Sequence, residues 1–260
     1  MEIIDISEEY EATYCKCLED WSTEMAEAGT LKNQWYRKKK QEGLRVKLAR
    51  DETGRIVGMI HYIPMEQAPA IGEKLYYIYC IWVHSYRQGV GDHRHKGIGK
   101  QLLRAAEDDV KALGGLGMAA WGITLPFFMR SSWFKKQGYQ RADRQGIAEL
   151  VWKPFDHNAL PPRLQKAVKT PQPGTGRLKI TCFRNGWCPA QNLACERMKR
   201  AVREYGDKVQ YIEVDTDDRA TFAQWGISDA IFIDDKQINT GPPPSYEKLR
   251  RLLRKKAGTP

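Results

Sequence analysis

The sequence predicts an α/β (α+β) protein: a mixed sheet with flanking helices, followed by a smaller β/α domain. Three observations predict it. Leu75–Val83, Leu-Tyr-Tyr-Ile-Tyr-Cys-Ile-Trp-Val, is a β-branched and aromatic run without polar alternation, the pattern of a strand buried on both faces. Leu102, Leu103, Ala106, Val110 and Leu113 then recur at helical spacing. Finally, Pro161, Pro162, Pro171, Pro173, Gly174 and Gly176 mark a linker over 157–177, beyond which strand and helix signals begin again.

Taken in order, residues 7–28 read as a helix with Ser7 as N-cap and acidic residues in its first turn. Trp35–Lys40 reads as a basic turn. Val46–Arg50 and Ile56–Ile63 form a hairpin around Asp51-Glu-Thr-Gly54. The central strand 75–83 and helix 98–113 follow, then a strand at Met118–Ile123, a helix at Phe127–Gln137 closed by Gly138, and a strand at Gly146–Trp152. Past the linker the signals run strand 178–183, helix 189–205 with Pro189 in its first turn, strand 209–214 and short helix 218–225. A strand at 230–233, a turn into 237–238 and a helix at 245–256 complete the chain. Gly241-Pro-Pro-Pro-Ser-Tyr246 reads as a rigid loop before that helix.

Composition narrows the classes. The 260 residues have room for two cores. No apolar run approaches ~20 residues, so no membrane-spanning helix is expected. The acidic start, Met1-Glu-Ile-Ile-Asp, lacks the order of a signal peptide, and the protein is expected to be cytoplasmic. Six cysteines in a chain this long do not make a disulfide framework. The net charge of +10 divides unevenly: residues 1–157 carry 23 basic and 21 acidic side chains, residues 158–260 carry 19 and 11. Without a zinc-finger spacing or an aromatic-rich single-strand motif, that basic excess reads as a solvated helix face, and nucleic acid is not an expected partner.

The most chemical stretch is Arg94-His-Lys-Gly-Ile-Gly-Lys100. Gly97 and Gly99 let the backbone approach an anion, and they stand where a helix begins, so its free N–H groups and the positive end of its dipole face a ligand. Arg94, Lys96 and Lys100 add positive charge. The spacing is neither a Rossmann fingerprint nor a P-loop. His93 and His95 flank the loop as neighbours of a phosphate.

Over residues 1–156 this arrangement resembles the GNAT acyltransferases. Arg94-x-x-Gly97-x-Gly99 is similar to their acetyl-CoA-binding signature, and Trp133-Phe-Lys-Lys-Gln-Gly-Tyr139 follows in the family's order of parts. The resemblance implies acetyl-CoA, or another acyl-CoA, as co-substrate. Val83 would end the central strand and pair with the pantetheine arm, and the backbone of Lys96, Gly97, Ile98, Gly99 and Lys100 would hold the pyrophosphate. It also implies transfer to a small-molecule or peptide amine. The family often places a tyrosine as general acid four residues before the glycine of the last helix. Phe134 stands there, leaving Tyr139, Trp133 or water as candidates.

The order β-α-β-α-β-β-α over 178–260 resembles the thioredoxin fold, and its combination with the first part resembles the YoaP-like proteins. Trp187-Cys188-Pro189 falls between the first strand and first helix, where a helix N-terminus stabilises a thiolate, so Cys188 is a candidate catalytic thiol. Gln191 stands where a Cys-x-x-Cys motif needs its second cysteine, and Ser228-Asp-Ala230 occupies the place of the thioredoxin cis-proline. Cys182 and Cys195 read as buried hydrophobes. Cys15 and Cys17, two apart on a helix, cannot share a face, so one is expected in the core and the other outside it. The leading expectation is an acyl-CoA-dependent N-acyltransferase with a thioredoxin-like accessory domain. The alternative is a thiol or soft-metal protein using Cys188 with Cys15, Cys17 or Cys80.

Overall fold

The computed structural model describes residues 1–126, 128–238 and 243–258. The chain forms two compact units, Met1–Trp21 with Tyr36–Gln165 and Ser22–Trp35 with Lys166–Pro260. The elements run β1 (Glu2–Asp5), α1 (Glu8–Cys15), α2 (Thr23–Gln41), β2 (Arg45–Arg50), β3 (Ile56–Pro64), β4 (Ala70–Ile71), β5 (Leu75–Val83), α3 (Ile98–Ala112), β6 (Gly117–Ile123), α4 (Ser131–Lys135), β7 (Gln140–Gln145), β8 (Ala148–Pro154) and β9 (Arg163–Leu164). They continue β10 (Leu178–Arg184), α5 (Pro189–Arg203), β11 (Val209–Asp215), α6 (Arg219–Trp225), β12 (Ala230–Ile233), β13 (Lys236–Ile238) and α7 (Tyr246–Ala257).

In the first unit seven strands lie in the order β1-β2-β3-β5-β6-β8-β7. Every pair is antiparallel except β5 with β6. The apolar face of α3 explains its docking: Ile98, Leu102, Leu103, Ala106 and Val110 are buried with Val57, Ile60, Ile78, Met118, Ala120 and Val151. This is the mixed sheet with flanking helices that the sequence predicts.

The two-faced burial expected for β5 has a local exception that shapes the site. His61 of β3 pairs with Cys80 and Tyr62 with Ile78, so Tyr79 is the extra residue of a β-bulge. On its other edge β5 pairs with β6 only from Leu75–Gly117 to Ile78–Ala120. Beyond the bulge the two parallel strands part, and the indole of Trp121 donates to the Tyr79 carbonyl at 2.7 Å across the opening.

Polar side chains tie α3 to the sheet. Asp109 accepts two hydrogen bonds from Arg45, one at 2.6 Å, and one from the Tyr62 hydroxyl at 2.6 Å, with Lys47 at 3.4 Å. Burial raises the Asp109 pKa, but the bonds from Arg45 and Tyr62 outweigh it and the net shift is downward. A carboxylate depressed on folding stabilises above its unfolded pKa, ~3.9, and that stability is lost as the pH falls through the lower folded value. Asp109→Asn is expected to cost about 2 kcal/mol at pH 7, as lost charge-assisted bonds. Its deficit against the wild type should shrink below about pH 4, as urea unfolding at both pH values will read.

Three sequence expectations are corrected. The helix expected over 7–28 is two helices. α1 stops at Cys15, Cys17 and Leu18 take φ of 53° and 64°, and Leu18 turns into the core. Ser22 then starts α2, its hydroxyl accepting from the Met25 N–H. Trp35–Lys40 is not a turn but the end of α2, where Lys38, Lys39 and Lys40 complement the helix dipole. The helix expected from 127 spans only α4. Phe127 lies outside the described residues, and Met129 and Arg130 fold back against the end of β6, the Ile123 N–H donating to the Met129 carbonyl at 2.9 Å. A Cβ on Gly122 would come within 3.0 Å of the Met129 carbonyl and the Ser131 nitrogen.

In the second unit four strands lie in the order β11-β10-β12-β13, with β10 and β11 parallel and the other pairs antiparallel. Ile180, Cys182, Ile231 and Ile233 pack with Met198 of α5 and Leu249 and Leu253 of α7. Phe183, Phe232 and Trp225 form a smaller cluster. The first part of α2 belongs to this unit: Met25 and Ala28 pack on Leu193, and Glu24 and Glu27 pair with Arg197 and Arg200. Consecutive reading of the sequence gives no hint of that. Residues 157–165 go with the first unit, where β9 pairs with β4. Of the loop 241–246, residues 241 and 242 lie outside the described residues.

Candidate functional site

β5 ends at Val83, the residue expected to end it, and α3 begins at Ile98. Between them the chain is fastened to itself and to β3. The His84 N–H donates to the Val57 carbonyl, the His93 N–H to the His84 carbonyl, and the His84 Nδ1 lies 2.7 Å from the Gly91 carbonyl. His95 has φ 62° and Gly97 φ 78°, so the backbone turns into the helix through left-handed conformations that glycine tolerates best. Gly97 is the N-cap, without a capping side chain. Its carbonyl takes the N–H groups of Lys100 and Gln101, while those of Lys96, Gly97, Ile98 and Gly99 have no partner among the described residues. Four adjacent donors at the positive end of a helix make an anion site.

The charges around it differ from one another. Lys96 and Lys100 are exposed and form no ion pair among the described residues. Arg94 is committed to Asp92 by a bidentate pair at 2.6–3.0 Å, which pulls the Asp92 pKa down. Its backbone N–H also goes to Asp92, so Arg94 shapes the loop. The His93 Nε2 is 2.9 Å from the Val90 carbonyl, which fixes that ring inside the loop.

Gly99, in the first turn of α3, stands close to Trp133 and to the end of β5. A Cβ on Gly99 would stand 3.3 Å from Cζ2 of Trp133 and 3.9 Å from Cγ2 of Val83. Gly99, Trp133 and Val83 therefore face one another, with the parted strands β5 and β6 beyond. A chain ending in an anionic group fits this geometry: phosphates on the helix start, a thin arm past Gly99, a reacting group at the opening.

The family model for Acetyltransferase (GNAT) matches residues 3–139. The chain belongs to the GNAT acetyltransferase family. A comparison with curated proteins finds no match. Solved structures similar to this GNAT chain include an aminoglycoside 6'-acetyltransferase type Ii (18% identity, 60% of this chain and 98% of that one, TM-score 0.45). Another is the PaiA N-acetyltransferase from Thermoplasma acidophilum in complex with coenzyme A (18%, 59% and 98%, TM-score 0.42). A third is a GNAT acetyltransferase from Brucella melitensis in complex with acetyl-CoA (14%, 62% and 90%, TM-score 0.41).

Phe134 is fully buried, its ring 5.0 Å from Trp133 and 5.5 Å from Tyr139. Tyr139 is buried beside Glu107. Burial first, and then that carboxylate, push its phenol well above the ordinary range. Trp133 packs beside Gly99 and has no acidic proton to give.

Cys15, Cys17 and Cys80 lie around the Tyr14 phenol, and Cys182 lies beside Cys195. Among the described residues no disulfide joins any of the six cysteines. Among the described residues no group of three or more His, Cys, Asp or Glu side chains could hold a metal ion, so the metal cluster of Cys15, Cys17, Cys80 and Cys188 has no support. Cys15 is buried and Cys17 partly exposed, as the spacing implies, although Cys17 lies past the helix end. Cys80 is buried in β5. Cys182 and Cys195 are core residues, and the bond between them, followed by burial, raises the Cys195 pKa. Cys188 is the half-buried N-cap of α5, and the neighbouring Trp187 indole donates to Asp229 at 3.0 Å. No helix among the described residues is long and apolar enough to cross a membrane.

Proposed function

We propose that this chain transfers an acetyl group from acetyl-CoA to an amine, a small molecule or a peptide. The observation that carries the reading is the row of unclaimed N–H groups from Lys96 to Gly99, joined through Gly99, Trp133 and Val83 to the opening between β5 and β6. The pyrophosphate sits on that row with Lys96 and Lys100 beside it, and the thioester reaches the strand edge beyond Tyr79. Ile81, Trp82 and Val83 have no ladder partner on the β6 side among the described residues, and an N–H of that stretch is read as the donor to the acyl oxygen. The amine nitrogen attacks the carbonyl carbon. The N–C bond forms, the C–S bond breaks with its electron pair going to sulfur, and the proton lost by nitrogen reaches the thiolate through water. With Phe134 in place of a tyrosine, no side chain is assigned as acid.

The second unit is read as a thioredoxin-like accessory domain. Its element order, the parallel pair β10–β11 beside antiparallel β12 and β13, and Cys188 at the start of α5 support that reading. Calorimetric titration of the reduced full chain tests the transferase reading: acetyl-CoA is expected to bind, and absence of binding for both acetyl-CoA and CoA removes it. Burial sets a further expectation. Under native conditions iodoacetamide should label Cys17 and Cys188, while Cys15, Cys80, Cys182 and Cys195 react only after unfolding, as peptide mass spectrometry will show.

A further inference from the structure

Three segments of the first unit, the α1–α2 turn, the end of β5 with the loop after it, and β6 with the loop after it, bring five aromatic side chains into one unbroken wall. Trp21 meets Tyr86 with ring centres 5.6 Å apart, and Tyr86 meets Trp82 at 6.1 Å. Trp82 then meets Phe128 at 5.7 Å, and Phe128 meets Trp121 at 6.1 Å. The wall ends at the indole that spans the parted strands, so it begins where the thioester is read to lie. Trp21, Tyr86 and Phe128 are each about 40% exposed (41%, 40% and 39%). A continuous run of rings, three of them exposed, marks a binding surface.

Two polar atoms within this wall point to a ligand. The His84 ring, edge-to-face with Tyr86 at 5.8 Å, is fully buried. Its Nδ1 faces a carbonyl, which can only accept, so Nδ1 donates there, and in the neutral ring Nε2 is an acceptor. That Nε2 has no partner among the described residues, nor does the buried indole N–H of Trp82. Nε2 looks toward Gly89 and Trp21: a Cβ on Gly89 would lie 3.3 Å from it and 2.4 Å from Cδ1 of Trp21. Unpaired buried groups are costly, and an acceptor lone pair beside an aromatic wall is satisfied by an N–H donor. The charge agrees. The Tyr86 phenol is raised by burial first, then by the Glu19 carboxylate and Cys17, which places one acidic group from the α1–α2 turn beside the ring. The left-handed residues Cys17 and Leu18 set up that turn, with Leu18 anchored in the core.

We propose that this wall is the acceptor subsite and that it selects a primary amine carried on a flat aromatic body. The proposal rests on the transferase reading and names its substrate class. Ring faces stack on an aromatic body and attract one ammonium. A polyhydroxylated amine would press hydroxyl groups against apolar rings without partners. An extended polycation would find a single carboxylate, Glu19, beside Tyr86.

The reduced full chain is tested with acetyl-CoA in excess, thiol release being followed with tryptamine, phenethylamine, spermidine and kanamycin. The aromatic amines are expected to show kcat/KM at least 10-fold above the other two. Trp82→Ala and Tyr86→Ala should each raise KM for phenethylamine at least 10-fold and leave the acetyl-CoA Kd unchanged, and Trp82→Phe should recover most of the loss. Preference for spermidine or kanamycin, or unchanged KM in both alanine variants with native melting curves, overturns the proposal. Phenethylamine binding is also measured by calorimetry without turnover. Binding that Trp82→Ala abolishes supports the subsite even if acetyl-CoA fails to bind and the transferase reading falls. Absent binding, in protein that does bind acetyl-CoA, overturns the subsite alone. A dimer that Tyr86→Ala dissolves would mean that a second copy covers the wall, and that too overturns it.

Discussion

Gly99→Leu is expected to raise the dissociation constant for acetyl-CoA at least ~100-fold, about 2.7 kcal/mol, with little change in melting temperature. The two halves of this expectation have separate causes. Gly99 lies in the first turn of α3 without a positive φ, so a leucine there takes ordinary helical geometry. Its Cβ would meet only the far edge of the Trp133 ring at 3.3 Å and Val83 at 3.9 Å. A methyl group needs a few tenths of an ångström from Trp133. A branched side chain instead occupies the space beside Trp133 and Val83. Gly97 offers the contrast: its φ of 78° strains any other residue, by about 1–2 kcal/mol, although nothing lies within 4 Å of a Cβ. Gly97→Ala should therefore lower stability where Gly99→Leu lowers affinity. Calorimetry and thermal melting of the two variants separate these effects, and an unchanged Kd in Gly99→Leu removes this site.

The largest expected loss of stability comes from Lys153→Met. Glu107 of α3 is only 6% exposed, and its Oε2 is 2.8 Å from the Lys153 ammonium of β8, which also donates to the Gln137 carbonyl at 3.3 Å. Without Lys153 a buried carboxylate is left beside the Tyr139 phenol. Breaking such a pair costs about 3 kcal/mol, the low end of the range because the lysine is partly exposed, or roughly 6–12 °C in melting temperature. Glu107→Gln combined with Lys153→Met should recover most of the loss. A single variant that melts with the wild type would show that the pair contributes nothing.

What could be read from the sequence follows from how local each signal is. β5, α3 and the glycines between them combine an apolar run, a 3.6-residue period and two residues with special backbone freedom, all within a few turns of chain. The second unit is legible for the same reason, each of its elements being short, patterned and bounded by turn residues. β7 escaped because Gln-Arg-Ala-Asp-Arg-Gln is polar, as suits a sheet edge, and carries no alternation. The break between α1 and α2 escaped because Cys17 and Leu18 adopt positive φ without being glycine, although Ser22 offered a second capping signal. The aromatic wall could not be read at all. Trp21, Trp82, Tyr86, Trp121 and Phe128 come from three separate segments, and only the packed chain brings them together.

The seam between β5 and β6 has a thermodynamic consequence. Among the described residues the strand ladder joining the ribbon β1-β2-β3-β5 to the ribbon β6-β8-β7 has four residue pairs, Leu75–Gly117 to Ile78–Ala120, and α3 lies across both. A ligand lodged past the last pair acts as a splint: it bridges two ribbons that the backbone alone joins over a short length. The free energy of binding then becomes resistance to unfolding, about 2.7 kcal/mol when the ligand is at 100 times its Kd. The cell's supply of the ligand thereby sets how firmly this half of the chain is closed.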